Sequence, residues 1–342
     1  GSWSNAKNMG PKINTPQWET QPCLSSDGQY LFFIRDSRKP GSNSNIWMSR
    51  WNGSSWSIAK QLPVPINGSG DEFSPFFHAD GKTLYFSSNS HVGLGGLDLF
   101  KSTLTSSDVW SEPKNLGYPI NDYRDNFGLV ISTNGNCGFL AGGTLSKGSY
   151  QFNNQKPQIY QFRVPDSLRP EQTDWMKIWA IDKDDKTIIQ NATWSLSANG
   201  LGKESVGIGG VFESSIPIGT KMALDVVAKG YNLFSRNIFF DTSRGEAFQD
   251  TILLTPIKEG NSFVLNNIMF EFDKDVLVEK SILEISRLVD WLNNNPGIKI
   301  EFRGHTDNKG LPSYNLELSK KRAKSVYDEV LSRGISDHRL SF

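Results

Sequence analysis

The sequence predicts a multidomain, mainly β protein, in which part of an all-β propeller and a β-sandwich precede a C-terminal α+β domain. Three observations carry this prediction. A repeat with a period of 53 to 54 residues runs through the first half of the chain, short strand-like segments fill the middle, and helical spacing of apolar residues appears only near the end. We therefore place the domains at residues 1–165, 166–257 and 258–342.

The repeat in residues 1–165 is marked by three features that recur with one period. Successive copies of a tryptophan, an Ile-Asn pair and a turn dipeptide are separated by 53 and 54 residues. The copies are Trp3, Trp56 and Trp110; Ile13-Asn14, Ile66-Asn67 and Ile120-Asn121; and Asp27-Gly28, Asp80-Gly81 and Asn134-Gly135. Asp-Gly and Asn-Gly favour hairpin turns, because both residues tolerate positive φ. About four strands in about 50 residues predict propeller blades. Only about three units are present, so we expect the propeller to be incomplete at its N-terminal side.

The unit at residues 71–121 has the sharpest pattern. It contains Asp80-Gly81, then a Gly-Gly-Leu-Asp-Leu-Phe run that ends at Phe100, and then Trp110 followed by serine. This succession resembles the PD40, or WD40-like, β-propeller repeat. The resemblance implies a rigid scaffold that presents a protein-binding face. We interpret the repeated tryptophans as core residues, and Asp98 as a hydrogen-bonding anchor between blades.

Residues 166–257 predict a small β-sandwich of about seven short strands. The layout of strands and flanking glycines resembles the carboxypeptidase regulatory-like domain, a transthyretin-like sandwich. That resemblance implies a spacer or interaction module, not a peptidase. We interpret the acidic segment at residues 182–186 as a turn. Counted from Asp182, the positions where a calcium-binding EF-hand loop needs Gly and Glu hold Thr187 and Thr193.

The last part of the chain mixes both periodicities. Residues 268–272 and 298–302 alternate in polarity as strands do, whereas residues 285–292 have apolar side chains at helical spacing. A second helix is predicted at residues 315–332, ended by Gly334. The β-α-β-α order predicts an α+β domain with a long loop before its second helix.

Three motifs in this domain resemble those of the OmpA C-terminal peptidoglycan-binding domain. They are Phe270-Glu271-Phe272-Asp273; Gly304-His305-Thr306-Asp307-Asn308 with Gly310; and Asn315, Leu318, Ser319, Arg322, Ala323 and Val326. The resemblance implies that Asp307 and Arg322 clamp the diaminopimelate of the peptidoglycan stem peptide, and that Asn315 and Thr306 complete the pocket. It also implies one further strand, so we expect the domain to be incomplete at its C-terminal side.

Such a pocket suits its ligand, because diaminopimelate carries an ammonium and a carboxylate on one carbon. Asp307 can accept hydrogen bonds from the ammonium. The planar guanidinium of Arg322 can hold the carboxylate through two parallel hydrogen bonds, which a lysine would do less well. The plainer alternative is an ordinary surface ion pair. His305 is expected to support the loop, because the four histidines lack the spacing of a metal site.

Charge and composition narrow the functional classes. The 36 Lys and Arg residues balance 36 Asp and Glu residues, so the chain has no bulk basic surface for nucleic acid. No apolar run is long enough to span a bilayer. We expect Cys23 and Cys137 to be buried free thiols, with a disulfide as the alternative. No cofactor or metal site is predicted.

These features together predict a non-enzymatic periplasmic scaffold, associated with the outer membrane and the cell wall. It would bind peptidoglycan and anchor an envelope protein complex through its propeller and sandwich. The domain combination resembles multidomain periplasmic proteins of the type IX secretion and gliding machinery. Two alternatives are a hydrolase of envelope glycan or peptide hosted by the propeller, and a TolB-like component of envelope transport. A hydrolase needs convergent carboxylates or a Ser/His/Asp set, and no such set stands out in the sequence.

Overall fold

The computed structural model describes residues 4–106, 108–142, 158–198, 204–241, 248–306 and 311–342. Within these ranges the chain is mostly β-sheet, with two α-helices near its C-terminal end. It divides into two compact units, Gly1–Trp175 with Ser214–Ile218, and Met176–Glu213 with Gly219–Phe342. In the described ranges, no helix has the length and apolar character that crossing a membrane requires. The domain boundaries predicted at residues 165 and 257 stay predictions.

The first unit contains three successive antiparallel sheets. Their strands are β1 (Trp18–Leu24), β2 (Tyr30–Asp36), β3 (Asn45–Arg50) and β4 (Lys60–Gln61); β5 (Glu72–Phe77), β6 (Thr83–Ser88), β7 (Asp98–Ser106), β8 (Val109–Trp110) and β9 (Lys114–Asn115); and β10 (Phe127–Ile131), β11 (Cys137–Gly142) and β12 (Gln158–Arg163). The orders are β1-β2-β3-β4, then β5-β6-β7-β8 with β9 paired to β7, then β10-β11-β12. Each strand therefore pairs mainly with its neighbour in the chain, as the repeat predicts.

The middle sheet of this unit has apolar side chains on both faces, and each face forms part of a different core cluster. Neighbouring residues of a strand point to opposite faces of their sheet. Leu84 and Phe86 pack in one cluster with Phe32 of the first sheet, whereas Tyr85 packs in another with Leu129 of the third sheet. The three sheets therefore stack face to face in chain order. Their closure into a propeller stays a prediction.

The repeated Ile-Asn pair has a structural role in the first two sheets. The buried Asn67 side chain accepts a hydrogen bond from the Ile46 N–H at 2.8 Å and donates one to the Ile46 carbonyl at 2.9 Å. Asn121 makes the same two bonds with Leu99, at 2.8 and 2.9 Å. These amides satisfy backbone groups that would otherwise be buried without a partner. The repeat thus reflects a backbone clamp.

The repeated tryptophans were predicted to be core residues. Trp110 is buried and lies edge-on to Phe77, with ring centroids 6.3 Å apart, which confirms the prediction for this copy. Trp56 is half-buried and packs against Trp51 at 5.4 Å. Trp3 lies outside the described residues.

Asp98 was predicted to be an anchor between blades, and this prediction was wrong. Its Oδ2 accepts hydrogen bonds from the backbone N–H groups of Leu94 and Gly95, at 2.7 and 2.9 Å. Both donors belong to the loop between β6 and β7. The glycine-rich run lets this loop fold back on the carboxylate, so Asp98 fixes a loop within its own sheet.

The two cysteines are free thiols, as predicted, although they are half-buried, not buried. The Sγ of Cys23 accepts a hydrogen bond from the Phe77 N–H at 3.2 Å. Burial raises the pKa of the Cys23 thiol, and this hydrogen bond lowers it by less. A packing role therefore accounts for Cys23.

The sandwich has seven strands in the described residues, which confirms the predicted number. They are β13 (Thr173–Asp182), β14 (Thr193–Ala198), β15 (Glu204–Ile208), β16 (Val211–Pro217), β17 (Thr220–Val227), β18 (Phe234–Phe240) and β19 (Phe248–Leu254). They form two sheets with the orders β16-β13-β19 and β15-β14-β17-β18. The acidic segment is a turn, as predicted: Asp182 accepts hydrogen bonds from the N–H groups of Asp184 and Asp185 and, at 2.7 Å, from the Tyr231 hydroxyl.

Two helices and two short strands make up the C-terminal part. They are α1 (Glu279–Asn294), β20 (Ile300–Glu301), α2 (Pro312–Ser332) and β21 (Leu340–Ser341), with β20 parallel to β21. Both predicted helices are confirmed. The second begins three residues early, at Pro312, because proline suits the first turn of a helix. The strand predicted at 268–272 was wrong: Phe270 forms only an isolated bridge with Leu277, since the chain turns back on itself there.

The helix α1 packs on the outer face of the sandwich sheet that contains β17. Leu224 and Val226 point into the sandwich, so Asp225 between them points outward. Asp225 is nevertheless buried, because α1 covers it and Arg287 of that helix forms an ion pair with its carboxylate. One turn later, the Trp291 indole donates a hydrogen bond to the Tyr231 carbonyl at 2.7 Å. Most of the sandwich and both helices thus belong to one compact unit.

Candidate functional site

The loop that follows β20 lies directly on α2. Gly304 is the contact point: a Cβ at this position would lie 2.2 Å from the Ser319 carbonyl oxygen and 3.3 Å from the Ala323 nitrogen. Any side chain would therefore collide with helix backbone, which explains why this motif position is glycine. The contact places the start of the loop beside the helical turn that carries Arg322.

The guanidinium of Arg322 is held in a defined orientation. Its Nε donates a hydrogen bond to the Lys274 carbonyl at 3.0 Å, and its central carbon lies 5.1 Å from the centre of the Phe270 ring. In the described part of the chain, neither terminal nitrogen has a hydrogen-bond acceptor and no carboxylate forms an ion pair with this residue. As far as the described residues go, the edge formed by the two terminal nitrogens is open to an anion.

Both contacts of Arg322 come from one segment, which we call the 269–278 hairpin. It is closed by a hydrogen bond from the Val278 N–H to the Met269 carbonyl at 3.1 Å, and Asp273 at its tip has a φ of +56°. The Tyr314 hydroxyl of α2 donates a hydrogen bond to Asp273 Oδ1 at 2.9 Å. This bond, with a smaller effect of partial desolvation, raises the pKa of Tyr314. The hairpin is thus tied to the helix that carries Arg322.

The predicted site residues are placed as follows. Arg322 lies on α2, seven residues after Asn315, so both lie on one side of the helix. Thr306 is half-buried at the end of the loop segment that begins at Gly304. Asp307 lies outside the described residues, so its pairing with Arg322 stays a prediction. The structure therefore brings the loop start and Arg322 together.

Two contributors to the surroundings of Arg322 were not predicted from the sequence. Tyr314 lies outside the motifs that carry the resemblance, and the Lys274 contact uses a backbone carbonyl, which has no sequence signature. Phe270 stood inside a motif, but only as part of a predicted strand. His305 is exposed and Gly304 makes the close contact with α2, while the support of the loop by His305 stays a prediction.

The surroundings of Arg322 combine local ion pairs with apolar surface. Lys274 pairs with Glu271 at 2.7 Å, which raises the pKa of the Lys274 ammonium and leaves the Arg322 charge unneutralised by that carboxylate. The side chains of Phe272 and Leu311 are 97% and 72% exposed. Over the ranges that the structure covers, no cluster of three His, Cys, Asp or Glu side chains has metal-binding geometry. The arrangement around Arg322 is suited to recognising an anionic group.

The C-terminal part of the chain is similar to a known protein family. Residues 269–342 match the OmpA family. These residues form an OmpA domain. The 269–278 hairpin, the Gly304 loop and α2 all lie inside the OmpA domain, so its match includes every residue of the candidate site.

Named relatives agree with this assignment over the OmpA domain. Outer membrane porin F of Pseudomonas fluorescens is 32% identical over 75 residues, which cover 22% of this chain and 23% of the porin. The peptidoglycan-associated lipoprotein of Brucella melitensis biotype 1 is 31% identical over 75 residues, covering 22% of this chain and 45% of the lipoprotein. The chain thus spans less than half the length of these relatives.

The following solved structure resembles the chain only weakly. A puromycin hydrolase mutant complexed with PGG covers 73% of this chain and 30% of its own, at 11% identity and a TM-score of 0.28. Similarity at this level carries no argument about fold or activity.

Proposed function

We propose that this protein is a non-enzymatic component of the cell envelope that binds peptidoglycan through its OmpA domain. The observation that carries the proposal is the Arg322 guanidinium, which is held by Lys274 and Phe270 near the Gly304 loop and has no acceptor on its terminal nitrogens among the described residues. The names of its relatives, a peptidoglycan-associated lipoprotein and an outer membrane porin, support this function and a place at the outer membrane.

The ligand in this proposal is the diaminopimelate of the stem peptide. Arg322 binds the carboxylate of its free amino-acid centre through two parallel hydrogen bonds, the strongest arrangement that this pair offers. Asp307 binds the ammonium on the same carbon, while Thr306 and Asn315 form the walls of the pocket. A zwitterion held between one anion and one cation cannot be replaced by a ligand that has only one of the two charges.

The remainder of the chain acts as a scaffold in the periplasm. The three stacked sheets are blades of a propeller that binds envelope proteins, and the sandwich is a spacer. In the first unit the described carboxylate of Asp98 and amides of Asn67 and Asn121 satisfy backbone groups, which supports a structural, not a catalytic, role. Anchoring of the type IX secretion or gliding machinery is the most specific form of the proposal.

Sedimentation with purified diaminopimelate-type sacculi tests the proposal. Arg322→Ala or Asp307→Ala should weaken binding by about 10- to 100-fold, because each removes hydrogen bonds to a charged group worth about 1.5–3 kcal/mol. Arg303→Ala is the matched control, since Arg303 is an exposed arginine of the same domain paired with Glu301. Pelleting of the Asp307→Ala, Arg322→Ala double variant at the level of the unsubstituted protein would reject the pocket.

Competition by small molecules tests the identity of the ligand. Free diaminopimelate should release the protein from sacculi, whereas lysine blocked at its α-amine and α-carboxylate should not, because blocked lysine keeps a primary ammonium but has no free amino-acid centre. Equal release by both compounds would show that any primary amine suffices, and diaminopimelate would then be the wrong ligand.

A further inference from the structure

Arg322 is constrained before any ligand arrives. A free arginine side chain has about 2 kcal/mol of rotamer entropy, and a ligand that binds it must remove much of this freedom. Here the central carbon of the guanidinium lies 5.1 Å from the centre of the Phe270 ring, and the Lys274 carbonyl accepts a hydrogen bond from Nε. The two contacts together restrain the orientation of the guanidinium.

We infer that the 269–278 hairpin is a positioning element, which presents the two terminal nitrogens of Arg322 to the carboxylate of the ligand. This inference rests on the proposed function. In it, the hairpin contributes to the specificity of the site for ligands that carry this carboxylate. An arginine can bind a carboxylate bidentately through its two terminal nitrogens or through Nε and one of them. Since Lys274 occupies Nε, only the terminal edge is available, and the carboxylate must approach along one direction.

The hairpin is attached at its base and at its tip, so it can restrain the side chain of Arg322. At its base, the Ser281 hydroxyl accepts from the Met269 N–H at 2.7 Å and donates to the Met269 carbonyl at 2.8 Å. Ser281 is buried on α1. At its tip, Asp273 accepts from the Tyr314 hydroxyl. The Lys274 carbonyl lies one residue after Asp273. Loss of the hydrogen bond between Tyr314 and Asp273 should therefore loosen the turn and release the guanidinium of Arg322.

Two stem tripeptides provide the test, one with diaminopimelate and one with lysine at the third position. They differ by the carboxylate that Arg322 is proposed to bind, so the ratio of their dissociation constants reports on that contact alone. Phe270→Leu and Tyr314→Phe should each weaken binding of the diaminopimelate tripeptide about three- to tenfold, the cost of ordering one side chain on binding. Binding of the lysine tripeptide should not change, so the ratio shrinks.

Matched controls separate positioning from general support. Tyr327→Phe removes another hydroxyl of α2 that donates to a carboxylate, that of Asp337. Phe272→Leu removes an exposed ring from the same hairpin. Both should leave the ratio unchanged. If Phe270→Leu and Tyr314→Phe weaken both tripeptides in parallel, the hairpin is only structural and the inference is overturned. Tyr314 is 48% exposed, so Tyr314→Phe retains the fold.

A double-mutant cycle gives a second, independent readout. Lysine at position 322 cannot form the bidentate contact, so Phe270→Leu in the Arg322→Lys background should cost almost nothing further. Full additivity of the two losses would overturn the inference. Failure of the unsubstituted protein to bind the diaminopimelate tripeptide is a different result, because it would reject the proposed function itself. Binding that is intact, with an unaltered ratio in the hairpin variants, rejects only the positioning role.

Discussion

Glu284 is a buried carboxylate on α1, at the surface where this helix meets the sandwich. It is 1% exposed, and neither oxygen has a hydrogen-bond partner of normal geometry among the described residues. Burial raises the pKa of Glu284 to about 6, and the nearby polar groups of Asn267 and Ser235 offset only part of this effect. A charged carboxylate at this position therefore opposes folding at neutral pH.

The size and sign of the effect follow from the two pKa values. The difference between the ordinary 4.5 and about 6 corresponds to about 2 kcal/mol. Because the pKa is raised in the folded state, the stabilisation is fully present below pH 4.5 and is lost as the pH rises through about 6. Glu284→Gln keeps the shape and removes the charge. It should stabilise α1 by up to about 2 kcal/mol at pH 7.5 and change little at pH 4.

Hydrogen exchange of the α1 amides, followed by mass spectrometry, measures the opening that exposes Glu284. Exchange between pH 4 and 8 is corrected with an unstructured peptide of the same sequence. In the unsubstituted protein the opening free energy should fall across this range, and in Glu284→Gln the fall should be smaller by the predicted amount. Glu279→Gln, in the exposed first turn of the same helix, is the control. A Glu284→Gln profile parallel to that of the unsubstituted protein would refute the reasoning.

Three further predictions concern the stability of the two units. Arg287→Ala should destabilise the second unit by about 3–5 kcal/mol in urea unfolding, because it leaves the buried Asp225 carboxylate unpaired; a loss near zero would contradict this. Gly304→Ala should cost about 1–3 kcal/mol and weaken pelleting with sacculi, since its Cβ meets α2 backbone, whereas Gly297→Ala, which meets nothing, is the neutral control. Asn67→Ala should destabilise the first unit by about 1–3 kcal/mol, and an unchanged melting temperature would count against the backbone clamp.

Periodicity predicted most of the elements, because it records burial directly. The turn dipeptides and the alternating runs located the strands of the first three sheets, and the apolar spacing from 285 to 292 located α1. The segment 268–272 shows the limit of this method. Alternation is typical of any chain segment with one buried face, and here only Ile268 and Phe270 pack against the core that α1 and α2 share, while Phe270 pairs with Leu277 alone. A hairpin and a sheet strand therefore have the same pattern.

The candidate site was predictable only as far as side chains define it. Arg322 stood out because its residue type matches the chemistry of a carboxylate, and Gly304 because its motif was intact. The contacts that orient Arg322 were not predictable from the sequence. Every residue has a backbone carbonyl, so nothing marks that of Lys274, and the Tyr314 hydroxyl lies near Asp273 only after the hairpin has folded. For Asp98 the residue type alone was misleading. A hydrogen bond to a neighbouring sheet was plausible, but the carboxylate accepts from nearer N–H groups in the adjoining loop of its own sheet.

The candidate site and the sandwich are joined through α1, which packs against both. Leu288 of this helix shares a core with Val330 of α2, and on its other side Arg287 pairs with Asp225 of the sandwich sheet. If α1 tilted, either the apolar core would open or a buried charge would lose its partner, and the second alone costs about 3–5 kcal/mol. Arg322 is therefore oriented by a body larger than the OmpA domain. A force applied at Arg322 would therefore pass into the sandwich through packed helices.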